Sequence, residues 1–561
     1  MSLPVYVDDD APSDPGPGDS SISDPLEDGS FERPFDAIQK GLYAAGLGQE
    51  VLVAGGLYTG AGNGNLDPGG KGLSVRCNLS RDCVIEADTP CGFLFQSSLP
   101  LTSVIEGFQI HAVGGTAVCC INESPTIRDC DLSQSIVGLD GLHSSPLVDH
   151  CDVRGNSSAG LRFLDGAPQI MDSTLEANAG PAVELIALAD GHIERCLFRG
   201  NFAFEGAGVA VYDASAEVID SVLMSNHARL VGGGVYVSHG ELTIAHSEFQ
   251  QNEANGEGGA VYVSNGELTV RDSAFQYNGA YESSGGVLRL INSTARIHET
   301  VFRENDAGRG AGGIAATNGN LTIDRSLFEF NESYDGVGGI EGAGGSIRIT
   351  NSILARNRGS SAAGAIGMVG GDLYIEGCTF HANEPRTLVV DGGAAAMTNS
   401  IVWNSPVVYD CCPIEGPISV SYSDVEFGIL GTGNMAIDPR LFLDNRTDPT
   451  RYALRTDSPC INRGNPGIDS PPDAVDFAGG ARLQACRVDI GAFESAATGQ
   501  LDCDGSQSSD ACDVLSGVED CNANLTPDEC EIGAPTVVFE ETFSRGGLLA
   551  SYWPVAEGEI E

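Results

Sequence analysis

Between residues 130 and 402 one short cycle of small, apolar and polar positions recurs. A small residue stands at Cys130, Cys151, Ser173, Cys196, Ser221, Ser247, Ser273, Thr300, Ser326, Ser352, Cys378 and Ser400. Two positions after each comes an apolar side chain: Leu132, Val153, Leu175, Phe198, Leu223, Phe249, Phe275, Phe302, Phe328, Leu354, Phe380 and Val402. Five positions after the small residue an asparagine recurs from Asn156 to Asn383. Runs that alternate, such as Val235-Tyr236-Val237 and Leu242-Thr243-Ile244, predict short strands, and Gly-Gly and Asn mark the turns between them. A leucine-rich repeat has a similar period but needs leucines at fixed spacing and a helical segment. Each repeat therefore predicts one coil of an all-β parallel solenoid, in which like residues stack at ~4.8 Å. The small and apolar ladders become interior columns. The asparagines form a turn column, where side chains satisfy one another and Asn tolerates a left-handed backbone.

A solenoid needs closed ends, because a bare coil presents open strand edges. Phe35, Ile38, Leu42 and Ala45 make a helical stripe before the strand-like Val51-Leu52-Val53, which predicts a cap helix and a first coil. The pattern divides the chain into a cap and first coil over 1–60, the solenoid over 61–445 and a C-terminal cap over 446–496. Tandem loops follow over 497–532, and the start of a further, incomplete module over 533–561. Cys460 and Cys486 could clip the C-terminal cap. The opening residues run into Val5-Tyr6-Val7 without a leader, so the start reads as a trimmed end.

Composition narrows the partners. With 29 Lys+Arg against 78 Asp+Glu the formal charge is −49, and Lys40 and Lys71 are the only lysines. Nucleic acid is excluded, since binding it depends on cationic side chains displacing phosphate counterions. Anionic membranes are disfavoured for the same reason. No apolar run reaches the roughly 18 residues a spanning helix needs. The 74 glycines fit a turn-rich β architecture, and 17 cysteines leave at least one thiol unpaired within the chain. Cys503, Cys512, Cys521 and Cys530 lie in an acidic, loop-rich tail where disulfides make best sense, which points to an extracellular or cell-surface location.

That tail holds the sharpest chemistry. Asp502, Asp504, Ser506, Asp510 and Asp513 occupy positions 1, 3, 5, 9 and 12 of one loop, and Asp520, Asn522, Asn524, Asp528 and Glu531 the same positions of a second. This spacing lets a 12-residue loop wrap Ca²⁺, a hard cation that takes six to eight oxygens. Gln507 and Leu525 stand where such a loop usually has glycine, and Asp513 replaces the usual bidentate Glu. Ca²⁺ is the expected cofactor, held more tightly by the second loop.

Phe-x-x-Asn at 198–201, 249–252, 275–278, 302–305, 328–331 and 380–383, with Gly258-Gly259-Ala260-Val261 and Gly232-Gly233-Gly234-Val235, resembles the polymorphic outer-membrane protein repeat of bacterial surface β-helices. Upstream coils such as Ser124-Pro125-Thr126-Ile127 and Ser145-Pro146-Leu147-Val148 resemble the broader right-handed β-helix repeat of pectate-lyase-like proteins. These resemblances imply a right-handed single-stranded parallel β-helix. The segment from Asp457 to Glu494 resembles the closing segment of surface β-helix proteins. The tail loops, six residues apart, resemble thrombospondin type 3 calcium repeats more closely than dockerin.

The function expected from these features is adhesion, surface architecture or carbohydrate binding by a monomeric, calcium-stabilised surface protein. Its partner is a surface glycan or a protein ligand. The alternative is an extracellular polysaccharide lyase or glycoside hydrolase. For that alternative the residues preceding the small ladder, including Asp129, His150, Asp172 and Arg195, form an outward titratable stripe. Asp131 and Asp152, one coil apart, give two carboxylates about 5 Å from each other, a spacing compatible with a retaining pair. His150 is the third candidate. The Asn-Thr-Asp, Gly-His-Gly and Arg-x-Lys signatures of hydrolases of this fold are missing. Cys130 and Cys151 read as core fillers.

Overall fold

A computed structural model describes residues 3–9, 27–97, 102–284, 286–360, 363–405, 413–444, 448–467, 474–484 and 487–495. The chain winds into a parallel β-solenoid. Its second face is a 16-stranded sheet from Gly56–Thr59 to Asp424–Val425, one strand per coil, all pairings parallel. The first and third faces, exemplified by Leu147–Asp149 and Val137–Leu142, join into a 30-stranded sheet. They merge because Val183–Glu194 runs unbroken through both.

The apolar ladder lies inside and in register, with Leu132 against Val153, Leu175 against Phe198 and Phe275 against Phe302. Phe249, Phe275, Phe302 and Phe328 are fully buried, their rings stacked at 4.7, 4.9 and 4.6 Å. The small ladder is a hydrogen-bonded column as well as a space-filler. Ser221 N–H donates to Ser247 Oγ on the next coil (3.1 Å), and Ser221 Oγ–H donates to the Ile219 carbonyl (2.7 Å). Cys130 and Cys151 sit in this column as buried free thiols whose S–H groups turn to the carbonyls of Arg128 and Asp149.

The asparagines do stack, but they are interior rather than left-handed. Asn278 Oδ1 accepts both the backbone N–H and the Nδ2–H of Asn252, while Asn278 Nδ2 donates to the Phe249 carbonyl of the preceding coil. Left-handed geometry falls instead on the residue just before, at Ala177, Ser225, Gln251, Tyr277, Glu304 and Phe330. It recurs at the other corners, at Asp129, His150, Asp172 and Arg195 before the small ladder, and at Asp213, His239, Asn265 and Asn292 after the third face. At these corners the turn is imposed by the inward rungs on either side, so residues as different as His150, Gln251 and Phe330 adopt it, while the corner after the third face keeps Asn and Gly, as at Asn265, Asn292, Asn318 and Gly344.

The repeat lengthens from 21–23 residues to 25–27 because the middle coils add a fourth strand. These strands, among them Phe202–Glu205, His227–Val231 and Gly279–Ser284, form a seven-stranded sheet at the side of the rod. The chain returns from it through Gly206, Gly232 and Gly258, all with positive φ, where a Cβ would stand 2.5 Å from a backbone carbonyl. That contact explains the Gly-Gly half of the repeat.

At the N-terminal end Val5–Val7 pairs with Val51–Val53, and the helix Ile38–Ala44 buries Ile38 and Leu42 over the first coil. Lys71 Nζ donates to the carbonyls of Leu42, Tyr43 and Ala45 at the helix end. At the other end, residues 429–435 close the core, with Ile429 packed on it and Asn434 Oδ1 accepting from Ser423 N as the last rung. The segment expected as the end cap does something else. The described parts of this stretch, 441–444, 448–467, 474–484 and 487–493, lie along the outside of the second face. Tyr452, Ala492 and Phe493 pack on Leu327, Ile353 and Ala355, and Leu454, Ile461 and Ile490 pack with Ile401. Cys460 is a buried free thiol directed at Asp424 Oδ2 (3.3 Å), so it forms no clip. Cys486 and the whole of 496–561, with every predicted calcium ligand, lie outside the described residues.

Candidate functional site

Asp131 and Asp152 are register partners on the second face, as their spacing requires. They do not form an isolated carboxylate pair. Arg154 donates to Asp131, which is buried, and Arg81 donates to Asp152. Arg81 comes from a loop closed by the Cys77–Cys83 disulfide, and it also reaches the carbonyls of Asp129 (3.1 Å) and His150 (3.2 Å). Each carboxylate is held by its own guanidinium, so the two do not face each other as a bare pair.

His150 stands on the corner and turns to Asp149, Nδ1 to Oδ1 at 2.6 Å, rather than to the two aspartates. The three candidates of the enzyme alternative thus split into two groups. Asp149, His150 and Asp172 bring ligand atoms within 4.8 Å of one another. Both carboxylates are already engaged, Asp149 by Arg128 (3.0 Å) and Asp172 by both arms of Arg195 (2.8 Å each). The Arg195 hydrogen bonds hold Asp172 below the usual carboxylate range.

The third face carries a different surface. Tyr236 and Tyr262 are register partners with rings stacked at 5.6 Å, and Tyr212 leans on Tyr236 at 5.3 Å. Tyr212 O–H donates to Glu205 (3.2 Å), and burial raises all three phenols. The line continues through Arg289, held by Glu257 (3.2 Å) and Thr317 (2.8 Å), and extends upstream to Glu184, whose carboxyl burial raises. Half-buried aromatic rings flanked by fixed donors and acceptors run along the rod axis at coil spacing.

The family described as "Right handed beta helix region" matches residues 77–222 and 259–427, more than half of the chain. The chain belongs to this right-handed β-helix family. Among solved structures, the crystal structure of pectate lyase Pel9A aligns at 13% identity over 88% of this chain and 97% of that one, with a TM-score of 0.21. A likeness at that level carries no statement about activity. No curated protein matches the chain.

In this β-helix the tyrosine column and Arg81 escaped the sequence reading for different reasons. Tyr236 and Tyr262 stand between two ladder valines and read as ordinary strand residues, although their identical register one coil apart was available. For Arg81 the available sign was the Cys77-Asn78-Leu79-Ser80-Arg81-Asp82-Cys83 spacing, short enough to close as a loop. A second disulfide joins Cys91 to Cys119, and Cys120 beside it is a buried thiol that desolvation pushes up. No helix among the described residues is long and apolar enough to cross a membrane.

Proposed function

We propose that this β-helix is an extracellular or surface-displayed binding scaffold that lays a glycan along its outer columns. The observation that carries the reading is the stacked Tyr236–Tyr262 column, with Tyr212 leaning on it from the neighbouring row. Aromatic faces accept the apolar side of sugar rings, and the flanking carboxylates and guanidinium supply directed hydrogen bonds. A surface that repeats at coil spacing suits a polymer that repeats along its own length. The Cys77–Cys83 and Cys91–Cys119 disulfides support an oxidising location. Residues 502–531 serve as a calcium-stiffened stalk, with five oxygen side chains in each loop.

The test is affinity electrophoresis of the purified chain in a panel of neutral and acidic polysaccharides, with release of new sugar ends measured in parallel. Retardation without cleavage, lost on Tyr236→Ala with Tyr262→Ala, is the expected result. Cleavage that Asp131→Asn with Asp152→Asn abolishes would establish the lyase or hydrolase alternative instead. For the stalk, limited proteolysis of the full chain should cut within 502–531 only after chelation. Equal cutting with and without calcium would remove calcium from the account.

A further inference from the structure

Beside the fourth-strand sheet, two columns of outward residues meet. One is the left-handed corner Ser225, Gln251 and Tyr277; the other begins each fourth strand with Phe202, His227 and Glu253. Between them lies an open pocket of about 330 Å³ lined by Ser225, His227, Gln251, Glu253 and Tyr277. We infer that this pocket binds one ring of a neutral hexose-containing glycan.

Glu253 is held at one oxygen and faces His227 with the other. Tyr281 O–H donates to Oε1 at 3.0 Å, and His227 Nδ1 lies 3.5 Å from Oε2. A carboxylate oriented by one such bond keeps its other oxygen for a sugar hydroxyl, with part of its side-chain freedom already lost before binding. Gln251 and Ser225 add donors and acceptors from the adjacent corner. Apolar contact comes from Tyr277, half of which is exposed, while Phe202, just outside the pocket, backs His227 with its ring stacked at 5.4 Å and 11°. Ring faces beside in-plane hydrogen-bonding groups match a pyranose, with its apolar face and equatorial hydroxyls.

Charge selects the class of sugar. Glu253 lies in the pocket, Glu304 acts on Tyr277 more strongly than Arg303 does, and Asp306 and Glu332 continue the fourth-strand column. The nearby Arg229 guanidinium lies over Phe202 and Phe204, at 5.1 and 5.4 Å. A uronate would bring its charge against this carboxylate set, whereas a neutral ring would not. The inference rests on the carbohydrate-binding reading and adds a second site, separate from the tyrosine column, with its own preference.

Calorimetry of the full chain with glucose, mannose and galactose hexasaccharides, and with hexagalacturonate, tests it. At least one neutral hexasaccharide should bind, and hexagalacturonate should bind more weakly. Glu253→Gln and Tyr277→Ala should each weaken binding at least ten-fold with unchanged thermal unfolding, both side chains being at the surface. Neutral binding that survives both variants but is lost on Tyr236→Ala with Tyr262→Ala would overturn the pocket and leave the broader reading standing. Tighter binding of hexagalacturonate would overturn the preference for a neutral ring. No binding of any hexasaccharide or of the polysaccharide panel would overturn both.

Discussion

At one register position of the second face, upstream coils carry Asp131, Asp152 and Thr174, and downstream coils carry Val301, Leu327, Ile353, Thr379 and Ile401. The interiors of the two regions are alike: Leu132, Val153 and Leu175 upstream, Phe302, Phe328 and Leu354 downstream, all fully buried. Their exteriors are not. Upstream, the outer row is a mosaic of ion pairs whose arginines water reaches. Downstream, it is a mainly apolar strip that the described residues between 441 and 493 cover. A parallel coil thus fixes what points inward and leaves the outward row free to specialise, since inward and outward side chains alternate along each strand. Burying each large aliphatic side chain of the strip contributes roughly 1.5–3 kcal/mol.

The sharpest break of this comparison is in the shared interior. Phe275→Asp places a carboxylate between the rings of Phe249 and Phe302 and should cost more than about 4 kcal/mol in chemical denaturation. Glu267→Lys, on an exposed strand end, should change stability by less than about 0.5 kcal/mol. Equal losses would mean that the ladder is not the core.

Next in size is the covered strip itself. His381 lies in it, almost fully buried beside Tyr452 at 5.8 Å, with neither ring nitrogen hydrogen-bonded. Burial, with Arg356 nearby, lowers its pKa to about 4. The folded form therefore holds fewer protons than the unfolded one, whose histidine titrates near 6.5. The stability it permits is present above about pH 6.5 and is lost as pH falls toward 4, by up to about 3 kcal/mol. Glu494 and Asp489, raised by burial, act in the opposite sense, losing stability as pH rises. Comparing wild type with His381→Leu cancels them. The variant should gain on wild type between pH 7 and 4.5, and parallel pH profiles would contradict the buried neutral histidine.

The smallest effect belongs to the upstream mosaic. Asp152→Asn breaks the pair with Arg81, where both side chains are about a third exposed, and should cost no more than about 1 kcal/mol. A loss of 3 kcal/mol would make the Arg81 loop a structural clamp rather than a surface fitting.

What the sequence disclosed follows the same division. The inward residues repeat because every coil imposes the same space, so the Phe, Ser and Asn columns were legible with their register. The left-handed corners were not, because Asp129, His150 and Arg195 share a backbone shape and no side-chain chemistry. The asparagines were assigned that shape in place of their neighbours, since a lone Asn signals a turn but not which residue of the turn bends. The packing of the described residues between 441 and 493 on the flank left no periodic mark. Its partners are single contacts distant in sequence, such as Tyr452 O–H to Glu329 at 2.6 Å and Ala492 N–H to Thr379 Oγ1 at 2.9 Å.

Hydrogen exchange measured by mass spectrometry on wild type and on Leu327→Asp with Ile353→Asp tests most directly whether outward residues alone decide what the downstream face carries. In wild type the amides of Ile490, Gly491 and Ala492, which donate to Cys460, Asn399 and Thr379, should be protected. In the variant these amides should exchange at least a hundred-fold faster, while Ser346–Thr350 of the first face keeps its protection. Unchanged protection of 490–492, or loss of protection in both segments together, would contradict a separately docked exterior on a common interior.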